Sequence, residues 1–453
     1  MTKIFANKIL TSSGWKENIT VEINADGHIE KLSTDTKDYD HHVGCLLPAP
    51  VNAHSHSFQR AMSGLTEYRG PNPKDSFWTW RKLMFKFLKQ LDPDIVEAIA
   101  AFVQMEMLEA GFSTNVEFHY LHHSESGRPY DDIAEMSQRI ISAANQSGIG
   151  LTLLPVFYQY GGCDLRALED GQRRFGNNLD QFQTLFQRVS KILKTSSPDT
   201  FLGLAPHSLR AVDPKDLIEL VNIAEKNPIH MHLAEQVAEV DEVKEFLGAR
   251  PVEWILENLD ISNQWCMIHC TQMEPHEVKM LAKTQAVAGL CPITESSLGD
   301  GIFEGANWMS NNGNIAIGSD SNVRISLSEE LRTLEYSQRL RDRSRAVLAN
   351  SHQSTGRRLF EGICKGGAQA AGRKTGVIKE GYLADLLALN TNHVDLERHK
   401  EDTLLDSYIF SGDDRMISDV WSAGRHLVKD GEHISRTEIT RAYKKATKKL
   451  TGF

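Results

Sequence analysis

The sequence predicts an α/β protein: a closed (β/α)₈ barrel with a small β-sandwich assembled from both ends of the chain. Two observations support this prediction. Eight short apolar runs alternate with stretches of helical period, and eight is the number of parallel strands that such a barrel requires. Strand-like pieces separated by turns lie at the two ends. We therefore expect the first part of the sandwich at 1–47, the barrel at 48–374, and the second part with a C-terminal helix at 375–453.

The predicted barrel strands are runs of β-branched and apolar residues that end in polar residues. They are Leu46–His56, Thr114–Tyr120, Gly150–Tyr158, Phe201–Leu209, Pro228–Glu235, Cys266–Met273, Ala286–Thr294 and Asn314–Asn322. The segments between them fit helices. One of these segments has apolar residues at i, i+3 and i+4 spacing, which predicts a buried stripe of Val237, Val240, Val243, Phe246 and Leu247.

Short strand-like pieces at both ends of the chain predict the terminal β unit. Turns such as Ala25-Asp26-Gly27 separate them. The pieces are Ile4–Leu10, Ile19–Ile23, Ala384–Leu389 and Val420–Gly424. The final stretch, Arg441–Leu450, carries four lysines at helical spacing, and we interpret it as a solvated helix and not as a binding patch.

Composition and charge exclude several classes of protein. The 453 residues include 50 Lys and Arg against 60 Asp and Glu, and the net charge of −10 argues against nucleic acid or an anionic membrane as the main partner. A mean hydropathy of −0.37 excludes a multi-span membrane protein. The N-terminal segment lacks the apolar run of a signal peptide, so we expect the protein in the cytoplasm.

The six cysteines predict buried thiols and not a disulfide framework. They are scattered over a long chain and form no CxxC pair. Cys266 and Cys270 flank His269 in an apolar run, and we assign both to core packing and not to a metal site.

Polar residues able to bind a metal ion stand at the ends of four predicted strands. His54 and His56 end the first strand, and residues at i and i+2 of a strand point to the same side. His232 ends the fifth strand, His269 the sixth and Asp320 the eighth. The carboxyl ends of barrel strands form one rim, where side chains of different strands meet. We therefore expect these five side chains in one cavity, around a metal ion.

With these residues in place, the sequence resembles the amidohydrolase superfamily, whose pattern is HxH after strand 1, His after strands 5 and 6, and Asp after strand 8. The resemblance extends to the terminal segments Gly376–Leu386 and Val420–Gly424. It implies a mononuclear or a binuclear metal hydrolase. Binuclear members similar to dihydroorotase carry a carboxylated lysine after strand 4, but the segment Ala205–Arg210 has no lysine. One Zn²⁺ per subunit is expected on His54, His56, His232 and Asp320, and Fe²⁺ or Mn²⁺ stays open because N and O ligands select weakly.

Glu235 indicates a deaminating member of the superfamily. It follows His232 by three residues, which matches the HxxE arrangement of those members. A carboxylate beside the metal can take and return protons, and the expulsion of ammonia requires a protonated leaving nitrogen.

Four further segments resemble the N-formimino-L-glutamate deiminase family: Asn52–Leu65, Phe77–Arg81, Glu117–His123 and Ala205–Arg210. The resemblance implies that Arg81 holds the side-chain carboxylate of the substrate. It assigns the α-carboxylate to Arg210, helped by Tyr120, His207 and Gln59. Arginine binds carboxylates through two parallel hydrogen bonds, and a substrate with two carboxylates suits two arginines.

The expected reaction is the metal-dependent hydrolysis of N-formimino-L-glutamate to N-formyl-L-glutamate and ammonia. Three side chains are expected to move protons: His269, Glu235 and Asp320. His269 and Asp320 are both placed to accept the proton of the attacking water, and the resemblance favours His269. Glu235 then protonates the nitrogen that leaves. The expected partner is a small dianionic substrate, and the resemblance implies a homodimer.

Two alternatives stay open at this point. A related deaminase of a nucleobase or triazine ring would use the same metal site, but a neutral ring has no use for two arginines. A non-catalytic barrel of the same fold would have lost metal ligands, and none is missing here. Glu295, after strand 7, receives no role from the sequence.

Overall fold

The structure, a computed structural model, describes residues 1–34, 38–67 and 77–450, with side chains for all of these except 77–79 and 170. Its strands are β1 Thr2–Thr11, β2 Gly14–Ile23, β3 Ile29–Ser33, β4 His41–Pro48, β5 Val51–Ser55, β6 Thr114–His119, β7 Gly150–Phe157, β8 Thr200–Leu202, β9 Ala205–Pro206, β10 Ile229–Leu233, β11 Trp265–His269, β12 Val287–Leu290, β13 Asn314–Ile317, β14 Leu386–Leu389, β15 Ile417–Ser422, β16 Arg425–Lys429 and β17 Glu432–His433.

The described residues also form α-helices and short 3₁₀ helices. The α-helices are α1 Phe77–Leu88, α2 Pro93–Glu109, α3 Glu135–Ser147, α4 Leu179–Leu193, α5 Pro214–Ala224, α6 Val237–Leu247, α7 Pro251–Asn258, α8 Pro275–Lys283, α9 Pro292–Leu298, α10 Gly305–Ser310, α11 Leu327–Asp342, α12 Thr355–Ala370, α13 Asp402–Phe410 and α14 Arg436–Thr447. The 3₁₀ helices are Ser57–Met62, Asp170–Arg174 and Asp414–Met416.

Eight parallel strands form the predicted barrel. Their order is β10-β11-β12-β13-β5-β6-β7-β8, with the short β9 paired to β7 beyond the end of β8. A parallel bridge between Leu204 and Ile229 joins the two edges of the sheet. The (β/α)₈ prediction is confirmed, and the carboxyl ends of all eight strands point to one rim.

The first predicted strand, Leu46–His56, is wrong as a single element. It divides into β4, which pairs with β1 and β14 of the terminal sheet, and β5, which starts the barrel. Pro48 and Pro50 have no amide hydrogen to donate, so the strand hydrogen bonding is interrupted where the chain passes from β4 to β5. The chain therefore passes from one sheet to the other within a few residues.

The other seven barrel strands also end before the predicted residue, for example at His269 instead of Met273 and at Ile317 instead of Asn322. The predicted strand Phe201–Leu209 contains only the last two residues of β8 and the two residues of β9. The predicted strand Ala286–Thr294 ends at Leu290, because Pro292 occupies the first turn of α9. Proline suits that position, since the amide hydrogen that it lacks has no partner there in a helix. The change from strand to helix redirects the chain just before Glu295.

The terminal segments form the predicted β unit as one continuous mixed sheet, in the order β17-β16-β15-β14-β4-β1-β2-β3. Only the β1 and β4 pair is parallel. Its apolar cluster draws on both ends of the chain, through residues such as Ile4, Val21, Leu386 and Trp421. The boundaries at 47/48 and 374/375 stay predictions.

The buried stripe predicted for α6 is only partly correct. Val240 and Val243 are buried, but Val237 is 60% and Phe246 48% exposed. At 100° per residue, these two lie about 90° to either side of the face centred on Val240, Val243 and Leu247. The helix thus contacts the barrel through a face narrower than the sequence pattern suggests.

The remaining predictions on the fold are confirmed. All six cysteines are buried and free. Helix α14 packs on α2, where the rings of Tyr443 and Phe102 stack with centroids 4.0 Å apart, and its lysines are exposed to solvent. In the described part of the chain, no helix has the length and apolar character needed to cross a membrane.

Candidate active site

The four predicted metal ligands lie together at the rim of the barrel. The Nε2 atoms of His54 and His232 are 3.1 Å apart. Asp320 Oδ1 lies 3.4 Å from the Nε2 atom of His56 and 3.6 Å from that of His54. All four side chains are buried. The structure therefore brings residues from three strand ends into one compact cluster.

The cluster is suited to a divalent cation. A carbonyl oxygen can only accept a hydrogen bond, so His56 Nδ1 donates to Phe118 (3.0 Å) and His232 Nδ1 donates to His207 (3.1 Å). Both Nε2 atoms keep a lone pair that faces the cluster. Burial lowers the pKa of His56 to about 3 and also lowers the pKa of His232, which leaves both rings neutral. Neutral imidazoles and a carboxylate are ligands that Zn²⁺ and similar ions bind.

The backbone at the strand ends is bent to aim these side chains. His269 and Asp320 have φ of 71° and 47°, in the left-handed region that non-glycine residues rarely adopt. Hydrogen bonds hold the bend: the Asp320 amide donates to the His54 carbonyl, and the His56 amide donates to the Asp320 carbonyl, both at 2.9 Å. A Cβ atom at Gly318 would lie 2.6–2.8 Å from atoms of His54, so only glycine allows this approach.

A buried polar network ties the first strand of the barrel to the last. Asn52 Nδ2 donates to Ser319 Oγ, and this hydroxyl donates to Asn322 Oδ1, both at 2.6 Å. Asn322 Nδ2 donates in turn to Ser55 Oγ at 3.1 Å. Because Ser55 lies between the two histidines and Ser319 precedes Asp320, the network fixes both parts of the cluster.

The three residues predicted to move protons adjoin the cluster. His269 Nε2 lies 3.7 Å from Glu235 Oε1 and 3.8 Å from Asp320 Oδ2. Burial opposes the charged form of His269, but the carboxylates of Glu235, Glu295 and Asp320 outweigh it and raise the pKa of the ring. Burial raises the pKa of Asp320 to about 7. The three carboxylates around His269 therefore favour its protonated form.

Glu295 is a site residue to which the sequence analysis assigned no role. His269 Nδ1 donates to Glu295 Oε1 at 3.3 Å, and the Cys291 amide donates to the same oxygen at 2.8 Å. The contact holds the His269 ring with Nε2 toward Glu235. Pro292 was the available signal, since it starts the helix that returns Glu295 to the rim.

A cavity of about 580 Å³, including its open mouth, lies over the cluster. Helix α1, the strand ends and the loops after them form its wall. Every predicted substrate-binding residue lines it: Gln59, Arg81, Tyr120, His207 and Arg210. The sequence did not single out the other wall residues, which are Trp80, Met84, Phe85, Tyr158, Phe175, Thr294 and Leu298. Three side chains of the sequence motif Phe77–Arg81, those of Phe77, Trp78 and Thr79, lie outside the described part of the structure.

One side of this wall is positively charged. Burial lowers the pKa of Arg81, and the charge of nearby Arg210 lowers it further. Burial and the same two arginines lower the pKa of His207, so its ring is neutral. Gln59 Nε2 donates to Tyr120 Oη at 2.7 Å, which leaves the amide oxygen of Gln59 without a donor among the described residues. Two close guanidinium groups with hydrogen-bonding neighbours can bind a dianion.

Tyr158 is one of the wall residues that the sequence analysis missed. It follows β7 at the carboxyl end of the third barrel strand, the position where barrel side chains face the rim. Its Oη accepts a hydrogen bond from Arg81 Nη2 at 3.1 Å. Its position at a strand end was the signal that could have indicated a role.

Comparison with known proteins agrees with this geometry. A family model described as the amidohydrolase family matches residues 45–427. A second model, described as the N-terminal domain of formimidoylglutamate deiminase HutF, matches residues 1–38.

Individual relatives show the same relationship. The chain is 44% identical to a formimidoylglutamate deiminase of Pseudomonas aeruginosa over 447 residues, 98% of each chain. It is 43% identical to an amidohydrolase of Brucella melitensis with known crystal structure, with a TM-score of 0.95 over 99% of this chain and 100% of that one. An adenosine deaminase of Xanthomonas campestris with bound zinc, at 18% identity, covers 99% and 98% of the two chains with a TM-score of 0.82 and shares the fold. The chain therefore belongs to the amidohydrolase family and, within it, to the formimidoylglutamate deiminases.

Proposed function

We propose that this hydrolase converts N-formimino-L-glutamate and water to N-formyl-L-glutamate and ammonia, with one Zn²⁺ per subunit. The observation that carries the proposal is the charge pattern of the cavity. A cation-binding cluster lies at its floor, and two arginines lie on its wall. An elongated molecule with an amidine at one end and carboxylates at the other matches that pattern.

The proposed metal site consists of His54, His56, His232 and Asp320. A divalent cation held by these residues would supply Lewis acidity, which lowers the pKa of water from about 15.7 toward about 7. Fe²⁺ and Mn²⁺ suit the same N and O ligands. Metal analysis of the isolated protein identifies the ion.

The proton transfers are proposed for His269 and Glu235. His269 accepts the proton of the attacking water at Nε2, the atom that faces Glu235 and Asp320. Asp320 is the alternative acceptor. The water oxygen bonds to the formimino carbon, and Glu235 delivers a proton to the terminal nitrogen. His269 then returns its proton to the same nitrogen while Glu235 takes the hydroxyl proton, so the bond from carbon to this nitrogen breaks, ammonia leaves, and the carbon becomes the formyl group.

The glutamate part of the substrate is proposed to bind the wall. Arg81 holds the side-chain carboxylate, and Arg210 holds the α-carboxylate with Tyr120, His207 and Gln59. Guanidinium groups bind carboxylates in a fixed, two-pronged geometry. Binding energy gained at this end places the formimino carbon over the cluster and lowers the barrier to attack.

The test is ammonia release from N-formimino-L-glutamate by the purified protein. Guanine, cytosine, N-formyl-L-glutamate and N-carbamoyl-L-glutamate serve as comparison substrates, and one sample is treated with a chelator and then resupplied with Zn²⁺. We expect turnover of N-formimino-L-glutamate alone, loss of activity with the chelator, and recovery with the metal. Faster turnover of a nucleobase would contradict the substrate, and full activity without any divalent metal would contradict the mechanism.

We also propose that the enzyme is a cytoplasmic homodimer that binds neither nucleic acid nor membranes. The family resemblance supports the dimer, and the net charge of −10 supports the absence of anionic macromolecular partners. Light scattering coupled to size-exclusion chromatography measures the oligomeric state, and a single peak at the monomer mass contradicts the dimer.

A further inference from the structure

The hydroxyl group of Tyr158 accepts two hydrogen bonds. Arg81 Nη2 lies 3.1 Å and Gln172 Nε2 lies 3.0 Å from Tyr158 Oη. Arginine can only donate. The amide of Gln172 is oriented by its own oxygen, which accepts the amide hydrogen of Glu169 at 3.1 Å. Both neighbours of the hydroxyl group are therefore donors.

The hydrogen of this hydroxyl group is left for a ligand. A tyrosine hydroxyl offers one donor and two acceptor positions, and both acceptor positions are occupied. Among the residues that the structure describes, none accepts the Tyr158 hydrogen. The hydroxyl of Tyr120, in the same cavity, differs because it lies 3.9 Å from the sulfur of Met84, which can accept its hydrogen. A buried donor without an acceptor is unfavourable, so a ligand that supplies an acceptor is favoured here.

The position of Tyr158 indicates what that ligand carries. The residue is 2% exposed and lines the same cavity as Arg81 and Arg210. Its ring packs edge-on against His207, with centroids 4.6 Å apart, and this contact restricts its orientation. A hydroxyl donor held beside a guanidinium group suits a carboxylate, which only accepts hydrogen bonds.

We propose that Tyr158 is a further substrate-binding residue, whose hydroxyl group donates a hydrogen bond to the carboxylate held by Arg81. The inference rests on the proposed function for the identity of the substrate. The role of Tyr158 itself requires only a small dicarboxylate in which one carboxylate reaches both Arg81 and Tyr158. This class is wider than N-formimino-L-glutamate.

The first test is Tyr158→Phe, which removes the hydroxyl group and keeps the ring. We expect KM for N-formimino-L-glutamate to rise about tenfold to 100-fold, the range for a hydrogen bond to a charged group, with kcat within about threefold. Tyr443→Phe, on the outer helix α14, is the matched control and should leave both parameters unchanged. An unchanged KM in Tyr158→Phe overturns the proposal.

A second test separates direct donation from an effect through Arg81. If Tyr158 served only to orient Arg81, Tyr158→Phe would have no further effect once Arg81 is replaced by methionine. Direct donation predicts that the double variant has a kcat/KM at least about fivefold below that of Arg81→Met. Equal values for the double and the single variant assign Tyr158 to positioning and overturn donation.

A third test does not depend on turnover. Calorimetric titration of the isolated holoenzyme with glutarate measures binding of a dicarboxylate, and Tyr158→Phe should weaken it about tenfold. If the parent protein releases no ammonia from N-formimino-L-glutamate but this weakening is observed, the proposed function fails and Tyr158 stands as a carboxylate donor. If the parent protein is active and glutarate binds both proteins equally, the Tyr158 inference fails alone.

Discussion

The two ends of the active-site cavity take their side chains from different kinds of element. At the proposed metal-binding end, His54, His232 and Asp320 lie on strands of one closed sheet or within three residues of them. At the proposed carboxylate-binding wall, Arg81 lies on helix α1 and Arg210 lies in the loop after β9. The proposed reacting centre is therefore positioned by the frame of the barrel, whereas the proposed substrate-binding wall is built from elements attached to that frame separately.

The two ends also differ in charge. Neutral imidazoles and carboxylates surround the proposed metal site, while the wall carries two guanidinium groups. A change at the proposed metal-binding end should therefore lower kcat and leave KM nearly constant. A change at the wall should raise KM and leave kcat nearly constant. Three substitutions test this separation and a fourth, outside the cavity, is the comparison; they follow from the largest expected effect on catalysis to the smallest.

Glu235→Gln removes the group that is proposed to deliver a proton to the leaving nitrogen. We expect kcat to fall about 10³-fold, within the range of 10²–10⁴ for one acid or base, and KM to change less than about threefold. Steady-state kinetics measure both values, and plasma emission spectroscopy should find the parental metal content. A rise in KM comparable to the loss in kcat would mean that the two ends are not separable.

Arg81→Met removes one guanidinium group and keeps an apolar side chain of similar length. KM for N-formimino-L-glutamate should rise about 100-fold because a two-pronged contact with a carboxylate is lost, while metal content stays constant. Arg188→Met breaks an ion pair on the surface and is the control. Parental kinetics in Arg81→Met would remove this residue from the site.

Glu295→Ala removes the oxygen that accepts a hydrogen bond from His269. Because the ring loses its fixed orientation, we expect kcat to fall about tenfold to 30-fold with little change in KM. Glu295→Gln keeps an oxygen acceptor and should recover most of the activity. Equal loss in both variants would show that the charge of Glu295 matters and not its hydrogen bond.

Asp199→Asn should destabilise the protein without changing either kinetic parameter. Burial opposes ionisation of Asp199, but Arg425 and Arg373 outweigh it and lower the pKa of the carboxyl group. Arg425 Nη2 donates to its Oδ2 at 2.6 Å and joins β16 of the terminal sheet to the segment before β8. Loss of the charge should reduce the free energy of unfolding by about 2 kcal/mol at pH 7.

The pH dependence of stability checks the sign of this effect. A carboxyl group with a lowered pKa in the folded state stabilises the protein above its unfolded pKa of about 3.9, and the contribution disappears as the pH falls through the folded value. The difference in melting temperature between parent and Asp199→Asn should therefore be largest near pH 7 and shrink below about pH 4. A constant difference would mean that the ion pairs do not cause it.

The sequence predicted the metal-binding end more fully than the wall. Strand periodicity places His54 and His56 on one side, and the barrel brings His232, His269 and Asp320 to the same rim. Local pattern did not predict the break between β4 and β5, because the pairing of Leu46 with Ile9 of β1 depends on the terminal sheet.

The contacts of Glu295 and Tyr158 were outside the reach of sequence reasoning for a related physical reason. Glu295 contacts a histidine 26 positions earlier, and Tyr158 receives hydrogen bonds from residues on two other elements. Such contacts join side chains from different elements, and they depend on where each loop or helix lies at the rim of the barrel. The sequence of one segment does not determine that position. The resemblance to a family indicated Arg81, Arg210 and Tyr120, which periodicity alone would have left on a surface helix or under loops.

Two histidines of the cluster, His56 and His232, are oriented by the carbonyl groups of Phe118 and His207, which every amino acid at those positions would supply. A substitution at residue 118 can therefore change how side chains pack against β5. It leaves His56 Nδ1 bonded to the backbone carbonyl and His56 Nε2 directed at the cluster. On the wall, Gln59 depends on the side chain of Tyr120, and Arg81 on that of Tyr158, so single exchanges there change what is recognised. Ancestral proteins of this fold could thus acquire new substrates by altering the wall while the hydrolytic machinery was inherited intact.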